Sequence, residues 1–185
     1  MEKKVALLGD SIRLFGYGRI VPSLLEGKAA VFQPKENCKF AKNLLRMLFD
    51  LKEELKDCAV IHFNCGLWDV ADILGDGKLF SSDAEYRENV LRIARTLKKI
   101  TPKVIFATTT PVHPEYKDND NADIARFNAL VVPELKALGI KINDLNALVA
   151  EDIEGNICED KIHLTEKGAE RCARQVARMI EEELA

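Results

Sequence analysis

Short apolar runs alternate along the chain with longer stretches whose apolar residues recur every three or four positions. The run from Lys4 through Val5-Ala-Leu-Leu8 to Gly9 predicts a buried strand that stops at Gly-Asp-Ser. A short helix is predicted near Ile20–Glu26, with Pro22 tolerated in its first turn. Ala29-Ala-Val-Phe32 reads as a second strand, stopped by Pro34. Phe40, Leu44, Met47, Leu48, Leu51 and Leu55 fall on one helical face and predict an amphipathic helix. Cys58-Ala-Val-Ile-His-Phe63 is a third strand, ended by Gly66.

The stretch 72–82 carries glycines and small polar residues and reads as a loop. Ser82 or Asp83 caps the next helix, whose apolar side includes Val90, Ile93, Ala94 and Leu97; its arginines and lysines read as a solvated face. Lys103–Thr108 is a fourth strand, and 111–121 a polar loop. A helix over 124–138 is closed by Gly139, and Ile140–Ile142 is a fifth strand. A short helix over 145–151, a loop over 154–162 and a final helix capped by Thr165 complete the series. Strand and helix alternate throughout, with no repeat and no linker. The fold class expected is α/β: one three-layer α/β/α domain over residues 1–185 around a five-stranded parallel sheet. In such folds the working site lies at the carboxyl ends of the strands, near the reversal of strand order.

Composition narrows the function classes. Basic residues number 27 and acidic residues 30, for a net charge of −3. No basic stripe is present to offset phosphate charge, so nucleic acid is not an expected partner. No apolar run approaches the roughly 18–20 residues of a membrane span, and the start lacks the apolar stretch of about 7–15 residues of a secretory signal. A cytoplasmic location is therefore expected. The five cysteines include no C-x-x-C pair, so a zinc ribbon or a thioredoxin-like motif is excluded and reduced thiols are expected.

Three histidines are available for chemistry. His62 lies inside the third strand and reads as a core residue, and His113 lies just beyond the fourth strand. His163 is the informative one, because Asp160 precedes it by three positions in a loop. Such an Asp can accept from the imidazole Nδ1–H, fix the tautomer and leave Nε2 as a base. Ser11 follows the first strand at its carboxyl end, and a serine becomes a nucleophile when an imidazole takes its proton. Ser11, His163 and Asp160 thus form a candidate triad if the two ends of the chain meet. G-x-S-x-G and P-loop motifs are both absent.

Gly9-Asp10-Ser11-Ile12, taken with Asp160-Lys-Ile-His163-Leu-Thr-Glu-Lys-Gly168, resembles the GDSL or SGNH hydrolases. The resemblance implies a flavodoxin-like fold and ester hydrolysis, with Ser11 as nucleophile, His163 as base and Asp160 as its orienting partner. The middle of the chain departs from the family pattern. Where the family reads Gly-x-Asn-Asp, with the Asn donating to the oxyanion, this chain reads Gly66-Leu67-Trp68-Asp69. The glycine that the family places after its second strand is missing. Asn64 and Asn37, after the third and second strands, are the candidate replacements as oxyanion donors. Trp68 is a candidate wall for a sugar or acyl group, and Asp69 and Asp144 candidate loop holders.

The leading reading is a serine carboxylic ester hydrolase that removes a small acyl group, such as acetyl, from a polar alcohol such as a carbohydrate. It needs no cofactor and no metal, and its partner is a small-molecule ester. No edge loop reads as apolar enough for a long acyl chain. Alternatives are an acyl-thioesterase or lysophospholipase with the same triad, and a non-catalytic binding module on the same fold. A receiver domain ranks below these, because Asp10 stands alone and the third strand ends in Asn64.

Overall fold

The computed structural model describes residues 3–185. Five strands form one sheet: β1 (Lys3–Leu8), β2 (Ala29–Phe32), β3 (Cys58–Asn64), β4 (Val104–Ala107) and β5 (Lys141–Asn143). Every pairing is parallel and the order is β2-β1-β3-β4-β5. This is the flavodoxin-like order, whose switch point lies between β1 and β3. The inner strands are buried on both faces, which is why β1 and β3 read as continuous apolar runs rather than alternating ones.

The crossovers supply eight helices: α1 (Val21–Leu24), α2 (Ala41–Asp50), α3 (Lys52–Leu55), α4 (Asp83–Lys98), α5 (Asn121–Ala137), α6 (Leu145–Ala150), α7 (Ile153–Asn156) and α8 (Glu166–Leu184). Leu44 and Leu48 of α2, Val90 and Ile93 of α4, and Val176 and Ile180 of α8 are buried at helical spacing. Ser82 caps α4 in a reciprocal arrangement with Glu85, and Thr165 caps α8 by accepting from the Gly168 amide. Gly139 follows α5 at φ +71°, as a helix-ending residue must.

Four local features differ from the sequence expectation. The chain leaves Ser11 through a π-helical turn, Ile12–Gly16, and a 3-10 turn, Tyr17–Arg19. The helix expected over 40–55 is divided at Leu51, yet its hydrogen bonds run on, Leu51 N to Met47 O and Leu55 N to Leu51 O. α5 starts three residues early because the Asp120 side chain accepts from the Ala122 amide. The loop expected over 154–162 opens with α7, which Asp152 caps through the Gly155 amide.

Candidate active site

The exit of β1 is built from buried polar groups that bond one another. Asp10 Oδ1 accepts from the Ile12 amide at 2.9 Å and from Asn64 Nδ2 at 2.7 Å, so the carboxylate spans Ser11 and ties it to the end of β3. Asn64 Oδ1 in turn accepts from the Tyr17 hydroxyl at 2.7 Å. The Asn64 carboxamide lies so close to the backbone that a Cβ on Gly9 would stand 1.9 Å from its Oδ1. Gly9 is thus required by a close approach. Burial pushes the Asp10 carboxyl up, against the hydrogen bonds from Asn64 and Ile12.

Arg13, fully buried, donates from Nη1 to Pro34 O at 2.8 Å and from Nη2 to Gly9 O at 3.0 Å and Glu36 O at 2.7 Å. One guanidinium therefore fastens the loop after β2 to the exit of β1. Asp69 fastens the next layer out: its carboxylate accepts from the Ala41 amide at the start of α2 and from Ser81 Oγ, both at 2.9 Å. Burial raises its carboxyl to about 7. Asp144 also holds a loop, accepting from Thr108 Oγ1 and the Ala147 amide.

His163 stands on the loop between α7 and α8. Its Nδ1 lies 2.6 Å from Asp160 Oδ2, while Asp160 Oδ1 accepts from the amides of His163 and Ile162. Partial burial opposes ionisation of Asp160, but these bonds and the Cys158 thiol hold its carboxyl well below the usual carboxylate range. An ionised acceptor at Nδ1 puts the ring proton there and leaves Nε2 free to take one. The loop closes on itself through Cys158 N to His163 O and Lys161 N to Cys158 O, and Lys161 adopts φ +70°. The loop after β4 supports it: the His113 amide donates to Lys161 O, and Glu115 pairs with Lys161.

Ser11 and His163, from opposite ends of the chain, line one cavity of about 280 Å³ at the carboxyl edge of the sheet. Ser11 is 7% exposed, and its hydroxyl is not spent on capping the turn that follows. Trp68, Leu67, Ile73 and Ile162 form the apolar part of the wall. The Phe15 ring meets the His163 ring edge-on, with centroids 5.9 Å apart.

The other candidates stand elsewhere. Asn64 is not in the cavity wall, because its amide is engaged with Asp10 and Tyr17. Asn37 accepts from the Lys39 amide at 2.7 Å in a local turn and also lies outside the wall. Gly66, at φ +137°, gives room to the β4 exit: a Cβ there would meet Thr109 Oγ1 at 2.0 Å. These three serve the scaffold in this structure.

His62 is buried, with Nε2 3.1 Å from Asn143 Nδ2, and desolvation lowers it to about 3. His113 points away to Glu154. Three polar wall residues were not anticipated: Tyr116, Asp118 and Asn119, from the polar loop before α5. That loop folds back because Asn119 Nδ2 donates to Leu67 O and the Asp72 amide donates to Asp118 O, both at 2.8 Å. Neither bond has a signature in sequence spacing. Among the described residues, no group of three or more His, Cys, Asp or Glu side chains is placed to hold a metal ion, and no helix is long and apolar enough to cross a membrane.

Searches of protein-family models and of curated proteins return no match. Solved structures do match over nearly the whole chain. A lipase/acylhydrolase from Enterococcus faecalis is 18% identical, with 97% of this chain and 96% of that one covered and a TM-score of 0.80. An acetylxylan esterase from Geobacillus stearothermophilus is 18% identical, covering 96% and 94%, at 0.74. A GDSL-like lipase from Bacteroides thetaiotaomicron is 18% identical, covering 97% and 88%, at 0.74. The chain has the GDSL hydrolase fold. That fold accounts for the sheet order, β2-β1-β3-β4-β5.

Proposed function

We propose that the protein is a serine-dependent carboxylic ester hydrolase. The observation that carries this reading is the meeting of Ser11 and His163 in one cavity, with Asp160 bonded to His163 Nδ1. Ser11 Oγ attacks the ester carbonyl as His163 Nε2 takes the hydroxyl proton. The carbonyl π electrons move to oxygen, and the Ser11 backbone N–H receives that oxyanion. Collapse of the tetrahedral species breaks the bond to the alcohol oxygen, which leaves with the proton from His163. Water, deprotonated by the same imidazole, then releases the acid and restores Ser11. Asp160 stays ionised and holds the ring in place throughout.

The substrate is an ester of a small acyl group, such as acetyl, with a polar alcohol such as a carbohydrate. The fold likeness to an acetylxylan esterase supports this substrate, and catalytic mutants of that esterase in which a serine and a histidine are replaced by alanine support the serine–histidine chemistry. One observation favours a second reading with a longer acyl chain, as in a thioester or lysophospholipid. The rim is more apolar than the sequence suggested: Ile73 in the wall is 43% exposed, its neighbour Leu74 79%, and Phe15 against His163 58%.

A fluorophosphonate probe tests the enzyme reading. The folded wild type should label at Ser11 and Ser11→Ala should not; a wild type that does not label would leave a binding module on the same fold. A chain-length series of 4-nitrophenyl esters separates the two substrates. Turnover highest with acetate supports the first reading, and turnover rising toward octanoate the second.

A further inference from the structure

Beside the cavity that Ser11 and His163 line lies a larger one of about 440 Å³, between the loop 72–79 on one side and the loop 112–120 with the first turn of α5 on the other. Tyr116, Asp118 and Asn119 line both, so the two spaces share one wall. Their chemistry differs. The serine cavity is mostly apolar, whereas the second is lined by four carboxylates (Asp72, Asp118, Asp120 and Asp123) against one ammonium, Lys117, and the His113 imidazole, which is paired with Glu154.

Three of those carboxylates are engaged locally. Asp72 accepts from the amides of Asp76 and Gly77, Asp120 from that of Ala122, and Asp123 pairs with Arg126. Asp118, on the shared wall, has no cationic partner among the described residues. Asn119 is 7% exposed; its Nδ2 is spent on Leu67 O, and its Oδ1 accepts no hydrogen bond among the described residues. Burial, the Asp118 charge and a hydrogen bond to Asp118 push the Tyr116 phenol up. The Tyr116 hydroxyl thus faces the Asp118 carboxylate, and the junction presents two acceptors, Asn119 Oδ1 and Asp118, around an aromatic ring.

We infer that this second cavity is the leaving-group subsite, and that it takes an uncharged polyhydroxylated alcohol while rejecting anionic ones. This rests on the ester hydrolase reading above. Hydroxyl groups of the alcohol donate to Asn119 Oδ1 and to the Asp118 carboxylate that Tyr116 holds, and the Tyr116 ring offers a face to the C–H side of a sugar. A phosphate or carboxylate on the alcohol meets an excess of like charge in a partly desolvated cleft, where such repulsion is stronger than in bulk water.

The test uses three acetate esters with wild-type protein: ethyl acetate, an acetylated methyl hexoside and the matching acetylated uronate. At low salt, kcat/KM for the hexoside should exceed that for both others by about tenfold or more, and the gap to the uronate should narrow several-fold by about 0.3 M NaCl as the field is screened. Asp118→Asn should narrow the same gap at low salt. Asn119→Ala should raise KM for the hexoside more than for ethyl acetate. Equal kcat/KM for hexoside and ethyl acetate, or a uronate cleaved as well as the hexoside at low salt, overturns the subsite while Ser11-dependent turnover leaves the hydrolase reading intact. No Ser11-dependent hydrolysis of any ester sinks both.

Discussion

On the β1 side, Ser11 stands among buried polar groups: Asp10, Asn64 and Tyr17 bond one another, and the Arg13 guanidinium bonds the carbonyls of Gly9, Pro34 and Glu36. On the α8 side, His163 stands on a half-exposed loop that holds its shape by its own turns and by surface pairs. The difference teaches where stability and chemistry are separable. Groups on the first side cannot be removed without leaving a buried partner unsatisfied, which costs free energy. Groups on the second can lose a partner to water at little cost, so changes there act on rate more than on folding.

The sharpest test of that contrast is Asp160→Asn. It should lower kcat by about 10³–10⁴-fold, because an amide no longer fixes the Nδ1–H tautomer, while the thermal midpoint hardly moves; a collapse of the fold would break the comparison. Next in size is a pH effect on the buried side. Asp69 binds its proton more tightly folded than unfolded, so its ionisation costs stability as pH rises from 3.8 towards about 7. His62 acts in the opposite sense: it is held neutral, and its contribution is lost as pH falls from 6.5 towards about 3. In Asp69→Asn the unfolding free energy should therefore climb more steeply with pH than in wild type between about pH 4 and 7, by no more than about 4 kcal/mol. Urea unfolding across that range reads the slope, and identical slopes would contradict the burial argument.

Arg13→Met should lower stability by about 3 kcal/mol, since Pro34 O and Glu36 O lose their donor and Gly9 O keeps only the Cys38 amide. Chemical denaturation measures it. The smallest effect belongs to the exposed loop: Glu115→Gln, which removes the pair with Lys161, should cost under about 1 kcal/mol.

The fold was legible because its signals are local. Apolar runs of strand length, capping residues such as Ser82 and Thr165, and Gly139 each act within a few residues, and their alternation fixes a parallel sheet. The Asp160–His163 pair was legible for the same reason, being three residues long. What was missed depends on contacts that sequence spacing does not encode. Asn64 and Asn37 sit on the correct edge of the sheet, yet the direction of a side chain there is set by Tyr17 and Asp10 in one case and by Lys39 in the other. Tyr116, Asp118 and Asn119 reach the cavity only because their loop bonds to Leu67 and Asp72, far away in the chain. Trp68, four residues past the end of β3, lines the cavity beside Ser11.

The placement of Ser11 and His163 at opposite ends of the sequence has a kinetic side. β1 finds its inner neighbour only when β3 is available, and α8 packs back over the turn that follows Ser11. Contacts of such long sequence separation are slow to form. On the proposed hydrolase reading, a ribosome-bound chain that already displays Ser11 is therefore inert until residue 163 has emerged and α8 has docked. Turnover would then report completion of the whole fold, and an assay during refolding should lag behind the recovery of helical signal.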